Sequence, residues 1–238
     1  MDMVATYAAS KSWTIRPNIV LVEGTSDEAL FALANRLSMQ SGTKLLGDEI
    51  CVVAAGRRDR GGTYGVAREL ITLRSMIPLV LDRHGWPAYR VMGLVDNDYA
   101  GRRIIKDLLR LDRGTAEYRD IVAVRPVTPA FVQMDPHGRQ AECDLANLPH
   151  RDLDWEIEDA LSPRLLRVFE QRHANLAPRK VHQGGKTHHE FTADGKTAFL
   201  RLAQQEAKFA DLAGVVAIVR MIRSMFGLAA PTDSSREC

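Results

Sequence analysis

Four carboxylates stand at two places in the chain where an apolar run stops. Ile19-Val20-Leu21-Val22 is followed by Glu23-Gly24-Thr25-Ser26-Asp27-Glu28, and Val91-Met92-Gly93-Leu94-Val95 by Asp96-Asn97-Asp98. Consecutive aliphatic residues of this kind read as buried strands. Glu23 then marks the carboxyl end of a strand, and Asp27 the first turn of the helix after it. That helix shows in Leu30, Phe31, Ala34 and Leu37, with Thr25 as N-cap and Glu28 closing a capping box. Ligands of open parallel sheets bind at the carboxyl ends of the strands. Asp96 and Asp98 are alternate residues of an extended segment, so they face one way and can share a cation. Helix capping accounts for one acid per helix, not two per strand end. Hard cations such as Mg²⁺ or Mn²⁺ take oxygen ligands and relieve carboxylate repulsion. The chemistry this suits is phosphoryl transfer, in which one ion polarises the phosphate and a second activates water. Glu23 suits either ligand or general base.

These acids need a frame. A second strand spans Glu49 to Ala54, a helix Tyr64 to Met76, a third strand and helix Arg90 to Leu111, and a fourth strand Ile121 to Val124. Strands alternating with helices predict an α/β fold, a parallel sheet of about four strands with right-handed crossovers and flanking helices. The loop after the second strand carries Arg57, Arg58 and Arg60, cations suited to phosphate contact beside a metal site. Residues 1–17 read as an irregular arm with Trp13 packing back. Past Pro126 the pattern changes: Asp135-Pro136-His137-Gly138 reads as a turn, and Asp154 to Leu161 as an acidic cluster in an apolar frame. A helix starting at Pro163 follows, then a polar, glycine-rich stretch over 178–196 that reads as a mobile loop. Two helices close the chain, about Lys196 to Phe209 and Leu212 to Phe226; the second is apolar enough for a core or an interface. The divisions expected are a catalytic core over 1–126, a mostly helical extension over 127–230 and a tail over 231–238.

Glu-Gly-x-x-Asp behind a first strand and Asp-x-Asp behind a later one resemble the TOPRIM domain. The run Leu94-Val95-Asp96-Asn97-Asp98-Tyr99-Ala100-Gly101 is most similar to the OLD-type nuclease version, and the resemblance covers roughly residues 18–126. It implies a metal set of Glu23, Asp27, Asp96 and Asp98. It further implies an acidic motif after the fourth strand, matched by Glu156, Glu158 and Asp159, and a later functional lysine. Lys196, behind Asp194-Gly195, is the first candidate and Lys186 the second. The implied activity is Mg²⁺- or Mn²⁺-dependent DNA nicking or cleavage, DNA being favoured over RNA. OLD-type proteins join this domain to an ABC-type ATPase. The implied setting is therefore a stand-alone effector of bacterial anti-phage defence, controlled by a separate ATPase. A small RNA-processing enzyme of the ribosomal-RNA maturase kind and a non-catalytic interaction module are the alternatives. Topoisomerases and primases of this fold need further domains than this length holds.

Composition bounds the rest. With 238 residues, 45% hydrophobic and 26% charged, the chain suits a soluble globular core plus a smaller addition. A net charge of +2 makes any nucleic-acid surface a local feature. No apolar stretch approaches the ~20 residues that span a bilayer, and the first residues lack a secretory pattern. Cys51, Cys143 and Cys238 are scattered and odd in number, which with the rest predicts a reducing, cytoplasmic setting. Gly185-Lys186-Thr187 and Gly195-Lys196-Thr197 imitate a P-loop end, but Lys180 and Glu190 stand where its first glycine belongs. His182, His188 and His189 lack companions at zinc spacing. Whatever part of the last helix is left outside the core suits a homodimer contact or a docking face for the ATPase. If the arginine loop grips phosphates, replacing Arg57, Arg58 and Arg60 by Ala lowers the log–log salt slope of duplex binding by about 0.9 per lost contact. An unchanged slope in a filter-binding titration returns the loop to solvent.

Overall fold

The computed structural model describes residues 2–56, 61–132 and 134–231. Four strands, β1 (Asn18–Val22), β2 (Ile50–Ala54), β3 (Arg90–Val95) and β4 (Ile121–Ala123), form one sheet in the order β2-β1-β3-β4, with every pair parallel. The crossovers are the helices α2 (Thr25–Gln40), α3 (Gly62–Met76) and α4 (Tyr99–Leu111). All of β1 is buried, which is why it reads as an unbroken apolar run: both faces of the sheet are covered. Pairing of Asn18 with Ile50 and with Arg90 brings the carboxyl ends of β1, β2 and β3 to one edge.

Alternate residues go to different layers. Ile19 and Leu21 face α3, α4 and a short α1 (Met3–Ser10), meeting Val4, Val66, Leu70 and Ile105. Val20 and Val22 face the other way, towards Phe31 of α2 and the C-terminal half. That half comprises α5 (Pro136–Ala146), α6 (Pro163–Arg172), an antiparallel hairpin of β5 (Arg179–Gln183) and β6 (Lys186–Glu190), α7 (Ala193–Glu206) and α8 (Ala213–Met225). Phe169, Phe199, Ile218 and Ile222 share one apolar cluster with Met92 and Leu94 of β3. The extension therefore forms the second covering layer of the sheet. Among the described residues no helix is long and apolar enough to cross a membrane.

Several local expectations are corrected. The arm contains α1, capped by the Asp2 carboxylate, which accepts from Ala5 N at 2.8 Å. Trp13 does pack back, its Nε1 donating to Ala54 O. Gly24, not Thr25, caps α2, and Glu28 accepts from Ala54 N instead of closing a capping box. Asp135 caps the helix α5, so 135–138 is a helix start and not a turn. The stretch 178–196 holds the hairpin, turned by Gly184 and Gly185 at φ of 57° and 81°. Helix α7 begins before Lys196, at Ala193, with Thr192 as cap.

Gly101 shows how tightly the Asp96 turn is built. A Cβ there would lie 1.9 Å from Asp96 O. Gly101→Ala is expected to cost about 1–3 kcal/mol, the range of overpacked sites. It shows as a lower urea midpoint at unchanged slope; an unaltered midpoint would mean the turn yields freely.

Candidate functional site

The carboxyl edge of the sheet gathers acids from separate segments round one ammonium. Glu23 leaves β1 and its Oε1 accepts from Asp96 N at 2.9 Å, tying the ends of β1 and β3 together. Asp27, on the first turn of α2, accepts from Gly24 N at 2.9 Å and from Ser26 Oγ at 3.3 Å. Asp96 Oδ1 accepts from Ile157 N at 3.0 Å, fastening the strand end to the acidic segment of the extension. Lys196 Nζ reaches in from α7, 3.2 Å from Glu156 Oε2 and 3.6 Å from both Asp96 Oδ2 and Glu158 Oε2. Glu23, Asp27, Asp96, Lys196 and the glycines 24, 56, 61 and 62 line an open cleft of about 560 Å³. A side chain at Gly61 would meet Glu23 O at 2.8 Å, so the loop can lie against the strand end only with glycine there.

Burial sets the electrostatics. It pushes Glu23 up to about 7, with repulsion from Asp27 and Asp98 adding to it. It pushes Glu158 up to about 8, Asp27 and Glu156 adding while Lys196 pulls the other way. Burial likewise raises Asp27, Asp96 and Glu156 above the usual carboxylate range. For Lys196 burial works downward, but the attraction of Glu158, Asp96 and Glu156 prevails and the ammonium is raised. It stays charged. Both oxygens of Glu158 and Oε2 of Glu156 are buried without a hydrogen bond among the described residues. Such orphans cost about 1–3 kcal/mol each unless a positive charge faces them.

The set is all carboxylate oxygen, the chemistry of a Mg²⁺ or Mn²⁺ site, and the orphaned oxygens of Glu156 and Glu158 fit a cation. Among the described residues, however, no three His, Cys, Asp or Glu converge into a ligand cage. In this arrangement the Lys196 ammonium is the charge round which the acids gather.

The other candidates divide. Asp98 caps α4, its Oδ1 accepting from Gly101 N at 2.7 Å, and meets the cleft only through its field on Glu23. Asp159 turns away from Lys196: its oxygens hold His188 Nδ1 at 2.6 Å and His189 Nδ1 at 3.1 Å. Lys186 lies in a different cavity, Nζ 5.8 Å from the Trp155 ring centre, and pairs with no carboxylate among the described residues. Arg57, Arg58 and Arg60 lie outside the described residues. Sequence reasoning missed Asn97. It is buried between the two aspartates, exchanges backbone hydrogen bonds with Trp155 at 2.8 and 3.2 Å, and donates through Nδ2 to Leu153 O. It missed also that His188 and His189 hold the acidic segment by Asp159. The adjacent histidines are the signal in the sequence for it: two imidazoles side by side suit a shared buried carboxylate as well as a metal. No protein-family model, curated protein or solved structure matches the chain.

Raised carboxylates fix the sign of a pH effect. Folded Glu23 and Glu158 keep protons that the unfolded chain has lost, from about pH 4.5 up to about 7 and 8. Stability without divalent metal therefore falls as pH rises through that window and levels off above it. Melts in EDTA from about pH 5 to about pH 9 should show a falling Tm, less steep in Glu158→Gln. A wild-type curve that is flat, or unchanged by that substitution, would mean the cluster does not titrate as a buried unit.

Proposed function

We propose that this chain is a divalent-metal-dependent nuclease of the TOPRIM type, hydrolysing phosphodiester bonds in DNA. The observation that carries the reading is the convergence of Glu23, Asp27, Asp96, Glu156 and Glu158 on Lys196 at the carboxyl edge of a parallel sheet. Both Glu158 oxygens and Glu156 Oε2 are buried without a hydrogen bond among the described residues, their charge met by Lys196 alone, and oxygens left in that state suit a bound cation.

Glu23, Asp27 and Asp96 are the residues that would hold Mg²⁺ or Mn²⁺, with Glu156 and Glu158 beside them; Asp98, occupied as the cap of α4, would have to leave Gly101 N to join them. The ion, when bound, supplies Lewis-acid polarisation of the phosphate and a low-pKa water. The chain's own groups do the remainder. Glu23, at the strand end on the cleft wall, is the group placed to take a proton from an attacking water where it does not itself hold the ion. Lys196, always charged, stabilises the extra negative charge of the transition state or stands by the leaving oxygen. Asn97 and Gly101 hold the strand end that aims Asp96. The OLD-like motif extends the proposal to an anti-phage effector in the cytoplasm, governed by a separate ABC-type ATPase.

Plasmid nicking tests it. Protein with Mg²⁺ or Mn²⁺, alone and with a candidate ATPase, should nick DNA and lose the activity in EDTA. Asp96→Ala should abolish nicking while retaining the fold by circular dichroism. Mn²⁺ should raise the Tm of wild type and not of Asp96→Ala. Equal nicking by both proteins sinks the assignment, and cleavage of RNA in place of DNA moves it to the RNA-processing alternative. Lys196→Ala should lower turnover by about 10²-fold or more, whereas Lys186→Ala leaves it near wild type. The reverse order would put the functional lysine on the hairpin.

A further inference from the structure

A second cavity, of about 580 Å³, lies between the hairpin β5–β6, α6 and the start of α8. Its size is that of a small-molecule site. The floor is apolar, with Leu161, Leu166, Ala217 and Ile218, and the rim is cationic, with Arg125, Arg167, Lys180 and Lys186. Acids also line it, but they are spent. Asp159 is held by the two histidines and Glu170 by His189 and Lys180. Asp211 is held by Arg164 and Ser162. Among the described residues, Lys180 is the one of these cations with a close carboxylate, Glu170 Oε2 at 2.6 Å. Arg125 comes no nearer to one than 4.0 Å, at Asp144, and its buried Nε has no hydrogen-bond partner. Arg167 and Lys186 pair with no acid among the described residues. The cavity thus offers two cations with no acid partner among the described residues, Arg167 and Lys186, and a third, Arg125, held only at 4.0 Å by Asp144, round an apolar floor. A single carboxylate needs one such partner; a phosphate, with several charged oxygens, uses two or three.

We propose that this cavity binds a phosphorylated ligand of nucleotide size, the phosphate held by Arg125, Arg167 and Lys186 and the ring laid on Leu161, Leu166 and Ala217. The ligand is a free nucleotide or the phosphorylated terminal nucleotide of a strand; both present the same chemistry. The binding stands on this cavity alone and is independent of the nuclease reading, because no carboxylate of the Lys196 cluster enters it.

The test is calorimetric titration of the full chain in EDTA, which silences divalent metal at the acidic cleft. The probes are AMP, ADP and ATP, a 5′-phosphorylated trinucleotide and the same trinucleotide without phosphate. At least one phosphorylated probe should bind at micromolar to millimolar concentration, more weakly as salt rises, and the unphosphorylated trinucleotide should not. Binding by free nucleotides identifies a small-molecule site, and binding by the trinucleotide alone identifies a strand end. Arg167 is exposed, so Arg167→Ala with Lys186→Gln should keep the wild-type melt and weaken binding by about 10-fold or more, the scale of lost charge-assisted hydrogen bonds. Ala217→Phe should block the floor and remove binding with the cations intact. No binding by any phosphorylated probe overturns the proposal, as does binding that neither variant weakens.

Discussion

The mutual repulsion of carboxylates at one sheet edge, answered by a single half-buried ammonium, is the constraint on which the rest of this structure turns. Glu23, Asp27 and Asp96 would push apart if each were free to move. Backbone donors pin them: Asp96 N on Glu23, Gly24 N on Asp27, Ile157 N on Asp96. Lys196, on α7 of the C-terminal half, then faces three carboxylates at 3.2–3.6 Å. Desolvating an ammonium and its partners is expensive, and attraction repays it only where several partners share the charge. That condition makes α7 inseparable from the sheet.

The C-terminal half follows from the same need. To bring α7 over the edge, the chain must cover the sheet face that α2 leaves open, and Phe169, Phe199 and the buried row of α8 do so. The apolar content of α8, which suited an interface as well as a core, is spent internally on Val215, Ile218, Val219 and Ile222. A division at residue 126 is thus a change of sequence pattern rather than a break in packing.

What the sequence made legible is what burial writes in long runs. β1 and β3 are continuous apolar segments because two helical layers cover them, and each ends in acids that nothing apolar explains. Less legible were elements stabilised by a few polar contacts. α1 is eight residues long, held by the Asp2 cap and by Tyr7 and Lys11 on the buried Glu69. The hairpin has no alternation to betray it: β5 is exposed nearly throughout, and the buried positions of β6 are His188 and His189. Thr25 and Glu28 matched a capping box, yet Glu28 was claimed by Ala54 N across the sheet edge. Local rules failed where a distant backbone group outbid the nearby one.

The acidic run at 156–159 divides for a similar reason. Spacing alone makes Glu156, Glu158 and Asp159 equivalent candidates, but the backbone makes a turn there that sends the glutamates to Lys196 and Asp159 to the hairpin. Asp159 Oδ2 also accepts from Glu156 N at 3.1 Å, so the residue that leaves the cleft fixes the start of the segment that enters it. With His188 and His189 on its other side, Asp159 joins the hairpin to the segment that carries Glu156 and Glu158. Trp155, Asp159 and Ala160 are at the same time a wall of the cationic cavity. One short segment therefore borders both the acidic cleft and the cavity with the cationic rim. The hairpin is tied to α6 and to His150 as well, through Lys180 and His189 on Glu170 and through Gln183 O on His150 Nδ1, so Asp159 is one of several contacts that fix where it lies over the acidic segment.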